Sequence, residues 1–259
     1  MQKKKTIRTA VLALIAAGAP AAAAAQTPPP AVSVAVTRPA PEQKWSVDFG
    51  IGFDNGISGN INSGGIGVYN GQTTVILKNK YEDVYGTGLH IRFGAGYMYR
   101  EDVEFRMHLT IQSLDADLVH MGDFGASNLY GQYDDYQSMS LDFGVRQYIP
   151  LTEMIRGYGE GLLGIAFVDE TDILLSAPQS GLIEEATDFY DRTAAFSLAI
   201  NVGALFEARE NVDVFAQIGL RYVTGMTEVD GLVGTGLETI NDKSARWSLP
   251  ILVGARLRF

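Results

Sequence analysis

Three histidines and several carboxylate clusters are the residues of this chain best suited to chemistry. His90 and His108 stand in "GLHIRFG" and "RMHLTIQ", and His120 stands in "LVHMGD", close to Asp117 and Asp123. A histidine serves as a general base or activates a nucleophile when a carboxylate or hydroxyl lies within hydrogen-bond reach. No serine follows two residues after any of the three, and no nucleophile is spaced beside a base. "GEGLLG" at 159–164 fits G-x-G-x-x-G, but a dinucleotide site needs a helix opening at that motif, and the stretch reads as strand. "YDDY" (133–136), "DETD" (169–172) and "EEATDFYD" (184–191) gather carboxylates, which suit hard divalent cations. None has metal-loop spacing, and solvated acidic loops are the simpler reading. No catalytic, cofactor or metal-ligating residue is assigned, and no cofactor is expected.

The elements that carry these residues alternate with period two, which places successive side chains on opposite faces of a strand. In "WSVDFGIGFD", Trp45, Val47, Phe49, Ile51 and Phe53 oppose Ser46, Asp48, Gly50, Gly52 and Asp54. The same alternation recurs over residues 89–99, 103–112, 137–147, 156–168, 193–207, 212–222 and 246–259. That predicts eight strands, each about nine residues or longer, enough for a tilted bilayer crossing. Short turns fall at Arg100–Asp102, around Pro150 and at Arg209–Asn211, and long polar loops at about 55–86, 114–135, 169–191 and 224–243.

The beginning of the chain has another character. Lys3, Lys4, Lys5 and Arg8 precede an apolar stretch from Ala10 to Ala19, too short to span a bilayer, and Ala23-Ala24-Ala25 precedes Gln26. This is the pattern of an export signal, residues 1–25, cleaved after Ala25. Residues 26–43 are rich in Pro and Ala and read as an extended periplasmic leader. The strands occupy 44–259. The chain has no cysteine and a net charge of −10. Removing the four basic residues of the signal leaves 16 basic against 30 acidic ones, a net of −14. Nucleic acid is therefore excluded as a partner, because phosphate recognition needs a basic surface.

Alternating strands suit either a soluble barrel or sandwich, with the apolar face inward, or a membrane barrel, with that face toward lipid. The polar face decides. It carries Asp48, His90, Arg92, Arg106, His108, Asp142, Arg146, Glu160, Glu207, Arg221, Arg246 and Arg256, interleaved with glycines such as Gly94, Gly96, Gly144 and Gly203. Small residues between charged ones suit a narrow lumen. Aromatics on the apolar face group at strand ends: Trp45, Tyr97, Tyr99, Phe105, Phe206 and Phe259 beside short turns or termini, Tyr222 and Trp247 at the opposite ends. Two interfacial girdles have this arrangement.

With the signal, the four short-turn and long-loop repeats, and the closing "LVGARLRF", residues 44–259 resemble the bacterial outer-membrane β-barrel family. The likeness is to its small eight-stranded kind, typified by OmpA-type transmembrane domains and opacity-protein-like porins. The resemblance implies an all-β, antiparallel up-and-down transmembrane barrel with short periplasmic turns and long extracellular loops. It also implies a place in the outer membrane among its lipids and lipopolysaccharide. Val253, Ala255, Leu257 and Phe259 match the terminal signal that the family presents to the barrel-assembly machinery, with Ala255 its weakest member.

The function expected is non-enzymatic, structural or surface-interacting, with a lumen plugged by paired charges and a possible ligand on the long loops. A narrow diffusion porin is the alternative, and a lipid-modifying or proteolytic barrel enzyme a third. A ten-stranded barrel is also open, because Asn70-Gly71 signals a hairpin; a small hairpin standing above the membrane is preferred.

Overall fold

The computed structural model describes residues 43–229, 234–241 and 244–259. The expected signal peptide and all of the leader but Gln43 lie outside them. Eight strands are long: β1 (Trp45–Ser58), β2 (Gly88–Arg100), β3 (Val103–Leu114), β4 (Tyr136–Pro150), β5 (Ile155–Val168), β6 (Thr193–Arg209), β7 (Val212–Val223) and β8 (Arg246–Arg258). Each pairs antiparallel with its neighbour in the chain, and β8 returns to β1, so the barrel closes. The seam runs through Val47–Leu257, Phe49–Ala255 and Ile51–Val253. Its end is tied by reciprocal backbone hydrogen bonds, Trp45 N to Phe259 O at 3.0 Å and Phe259 N to Trp45 O at 2.9 Å.

Alternation sets the two faces. Along β7, Asp213, Phe215, Gln217 and Arg221 are buried, while Val214, Ile218 and Leu220 are exposed. Inward glycines make room for charge. A Cβ on Gly94 would strike the Asp48 carboxylate, and one on Gly96 the Glu104 carboxylate.

Much of the four long connections is strand, not loop. Gly65–Tyr69, Gln72–Ile76, Val119–Phe124, Ser127–Tyr133, Thr171–Ala177, Leu182–Asp191 and Thr227–Glu228 form a second, seven-stranded sheet, paired in chain order. We call this upper storey the crown. The expectation of polar loops is corrected here, for a physical reason: these short segments also alternate, and they bury their apolar face. Thr171, Ile173, Leu175 and Ala177 are buried along one strand, and Leu129 and Tyr133 along another. Ile173, Leu175, Ala177, Leu129 and Tyr133 join Ile76, Met121, Phe189, Leu237 and Ile240 in one apolar core, which also takes in the barrel residues Leu114, Val168 and Val223. Residues 234–241 cross the crown's first edge, where Val68 N donates to Thr235 O at 2.6 Å. The same segment reaches the far edge, where Asn241 Nδ2 donates to Phe189 O at 2.9 Å.

The Asn70-Gly71 pair sits at a tight hairpin between Tyr69 and Gln72, with φ of 49° and 74°. That hairpin belongs to the crown, so the barrel has eight strands and not ten. A single helical turn, α1 (Tyr81–Val84), buries Tyr81 and Val84.

Candidate functional site

The lumen is where the polar residues converge. Arg92, Arg106, Arg146, Arg221, Arg246 and Arg256 share it with Asp48, Asp54, Glu104, Asp142, Glu160 and Asp213, all of them buried. Six guanidinium groups therefore balance six carboxylates in a space closed to bulk water. An unpaired charge there would be costly, whereas a paired and hydrogen-bonded one is tolerated.

The network is layered. Near the short turns, Glu104 accepts from Arg256 Nη2 at 2.7 Å, from Ser46 Oγ at 2.6 Å and from the Tyr148 hydroxyl. In the middle, Asp48 accepts from Arg106. Glu160 accepts from Arg146 Nε at 2.8 Å and from Asn201 Nδ2 at 3.0 Å. The Arg146 guanidinium also lies 4.1 Å from the centre of the Tyr158 ring. Nearer the crown, Asp142 faces Arg221 at 3.5 Å and accepts from Ser140 Oγ at 2.9 Å and from Ser197. Asp54 accepts from Arg246 Nη2 and from Gln112 Nε2, both at 2.7 Å.

Apolar groups close both ends of this network. At the short-turn end, Met98, Tyr148, Tyr158, Leu205 and Phe215 make a cluster across five strands. At the other end, the rings of Tyr81, Tyr85 and Tyr136 lie 5.9–6.2 Å apart and merge with the crown's core. Burial pushes the Tyr81 and Tyr85 hydroxyls well above the ordinary phenol range. They stay neutral donors, Tyr81 to Ser244 O at 2.8 Å and Tyr85 to Asp134 O at 3.0 Å.

The sequence-predicted polar residues fall inward with one departure. Glu207 is a third exposed and sits at the rim, 3.2 Å from Arg258. A β-bulge between Glu207 and Arg209 ends the alternation there. Asp54, Glu104 and Asp213 were missed as members of the network, although Asp54 shares its face with Asp48 and Glu104 with Arg106. His90 and His108 are buried in the lumen, and His120 lies in the crown with its ring 5.7 Å from that of Tyr130. The structure therefore does not bring the three histidines together. Among the described residues, no group of three or more His, Asp or Glu is arranged to hold a metal ion.

The outer wall is continuously apolar. Phe49, Ile51, Phe93, Leu109, Leu141, Phe143, Leu163, Ile200, Ile218 and Val253 all point away from the lumen and are exposed. At the short-turn end, Trp45 meets Tyr97 at 4.9 Å and Tyr99 meets Phe105 at 5.6 Å. Phe206 and Phe259 are exposed at the same end. At the crown end, Tyr222 meets Trp247 at 4.8 Å. A closed wall that is oily outside, charged inside and ringed by aromatics at both margins is built for lipid. The chain is a closed eight-stranded β-barrel with a lipid-facing wall.

Three solved structures to which the chain is similar share little of its sequence. Neisserial surface protein A is 12% identical, with 83% of this chain and 97% of that chain covered at a TM-score of 0.46. Ail, the attachment invasion locus protein of Yersinia pestis, is 14% identical, covering 84% and 100% at 0.38. The outer membrane protease OmpT from Escherichia coli is 8% identical, covering 86% and 99% at 0.43. No family model and no curated protein matches the chain.

Proposed function

We propose that this barrel is a non-enzymatic anchor that holds a rigid surface module, the crown, above the outer membrane. The observation that carries this reading is the plugged lumen beneath a crown with a packed apolar core. A conducting pore needs a continuous wet path. Here six ion-paired arginines fill the lumen, and apolar clusters close it above and below. The crown, in contrast, spends its sequence on a packed core, as a surface that must keep one shape for a partner requires.

The aromatic girdles would seat the barrel among outer-membrane lipids and lipopolysaccharide. Val253, Ala255, Leu257 and Phe259 point outward along β8, where the barrel-assembly machinery would read them. Chemistry on lipid or peptide is the less favoured reading, because His90 and His108 are enclosed by the same plug.

Planar-bilayer recording on refolded protein tests the proposal. Silent or flickering, low-conductance membranes are expected, and a stable large conductance would overturn the plug and favour a diffusion porin. Lipid A mass spectrometry from cells with and without the protein tests the enzyme reading, and unchanged acyl patterns are expected.

A further inference from the structure

Between the middle and upper layers of the lumen lies a small cavity of about 20 Å³. Its wall includes Arg92, His108, Thr110, Asp142, Arg221 and Leu252. It has room for a single particle of water size or slightly larger. We propose that this cavity binds one small inorganic anion, of halide size.

The atoms on its wall argue for an acceptor and against a cation. Arg92 Nε, Arg221 Nε and His108 Nδ1 are buried and have no hydrogen-bond partner, while Arg221 Nη2 faces Asp142 Oδ2 at 3.5 Å. Arg106 Nε donates to His108 Nε2 at 3.2 Å. That leaves Nε2 as the acceptor and puts the ring hydrogen on Nδ1, so the orphaned His108 atom is a donor. All three orphaned groups therefore present N–H. The wall's one carboxylate, Asp142, is already engaged by Ser140, Ser197 and Arg221 Nη2.

Charge points the same way. The wall itself holds two guanidinium groups and one carboxylate, with Asp48 and Glu160 behind it, each 3.9 Å from Arg92. Arg92 is not free to turn elsewhere, since its Nη2 donates to Gln217 Oε1 at 2.8 Å. Buried donors left unsatisfied are costly, and one acceptor with negative charge satisfies several at once. The apolar clusters that close the lumen at both ends would hold such an ion in place, as a structural component and not as a permeant one.

Crystals of the refolded chain grown with sodium bromide in place of chloride test this. An anomalous bromide peak within contact of Arg221 Nε and His108 Nδ1 is the expected result. Density there without anomalous signal means water and overturns the proposal, as does bromide found only at the surface, an adventitious ion only. A solution test runs beside it. Ala199 also lines the cavity, and Ala199→Val fills it without removing a charge. The thermal midpoint of the wild-type barrel should rise more than that of Ala199→Val when chloride replaces sulfate at fixed ionic strength. Equal responses of the two proteins would overturn the proposal.

Discussion

The barrel wall turns apolar side chains outward and charges inward, and the crown directly above it does the reverse. Ile218 and Val253 face lipid while Arg106 and Glu160 fill the lumen. In the crown, Ile173 and Phe189 fill the core, while Asp172 and Gln132 face water. One chain thus runs the same period-two code in opposite phases, and the surrounding solvent decides which phase is stable. In lipid, no free energy is gained by hiding a leucine, so the inside must be held by hydrogen bonds and ion pairs. In water, hiding a leucine is the main driving term, and the crown is held as a soluble sheet is. The two storeys should therefore fail for different reasons when altered.

The largest expected effect breaks the inverted core of the barrel. Glu160→Leu leaves Arg146 without its hydrogen-bonded carboxylate partner. Breaking a buried pair from one side costs about 3–5 kcal/mol, read as a fall in the urea midpoint of folding into lipid vesicles and as loss of heat-modifiable gel mobility. The double change Glu160→Leu with Arg146→Met removes both charges and should recover much of that loss. If the single variant folds as well as the wild type, the lumen pairs are not what holds the barrel.

A comparable lesion in the crown should stay in the crown. Ile173 is 2% exposed, and Ile173→Ala should cost about 2–5 kcal/mol of crown stability. Faster amide exchange is expected across Thr171–Ala177 and Ser127–Tyr133, with the heat-modifiable shift of the barrel retained. Joint loss of both would mean that the storeys fold as one unit. Outward-facing positions separate the storeys in another way. Ile218→Arg puts charge into lipid, at roughly 2–4 kcal/mol near the midplane. Gln132→Arg puts the same charge into water, where exposed substitutions stay within about 0.5 kcal/mol. Urea titration of the two variants side by side gives the contrast directly.

How much of this could be read from sequence follows from the same physics. The barrel strands were legible because nine or more residues of sustained alternation leave little ambiguity. Asp48, Arg106 and Arg146 could be placed inward by parity alone, whereas the glycine-rich β5 is phased only by putting Glu160 inside. The crown was not legible, because its strands are short and their alternation is interrupted. "TDILLSA" places Leu174 beside Ile173 and Leu175 and blurs the phase, and Gly122 takes up a register shift within "VHMGDF". The apolar plug was hidden for a related reason. Leu205 and Met98 are apolar residues in the polar phase near strand ends, where alternation is least constrained. Glu207 was misplaced because a bulge, which alternation does not announce, resets the phase just before the turn.

The smallest expected effects come from two glycines that test backbone and solvent separately. Gly71 has φ of 74° in the crown's first hairpin, and nothing lies within 4 Å of where its Cβ would be. Gly161 also has open space around its Cβ site, but it lies on the lipid-facing row of β5, outside the left-handed region. Gly71→Ala meets no clash, so its whole cost is conformational, about 1–2 kcal/mol, and it should appear as faster exchange of the Gly65–Ile76 hairpin alone. Gly161→Ala restricts the unfolded chain and adds a methyl to the lipid face, so a gain of about 0.4–1 kcal/mol is expected. Opposite signs from one substitution type at two open sites would show that φ, and not space, fixes glycine at the crown's turn. A loss at Gly161 equal to that at Gly71 would mean instead that the lipid-facing groove of β5 is occupied in the membrane.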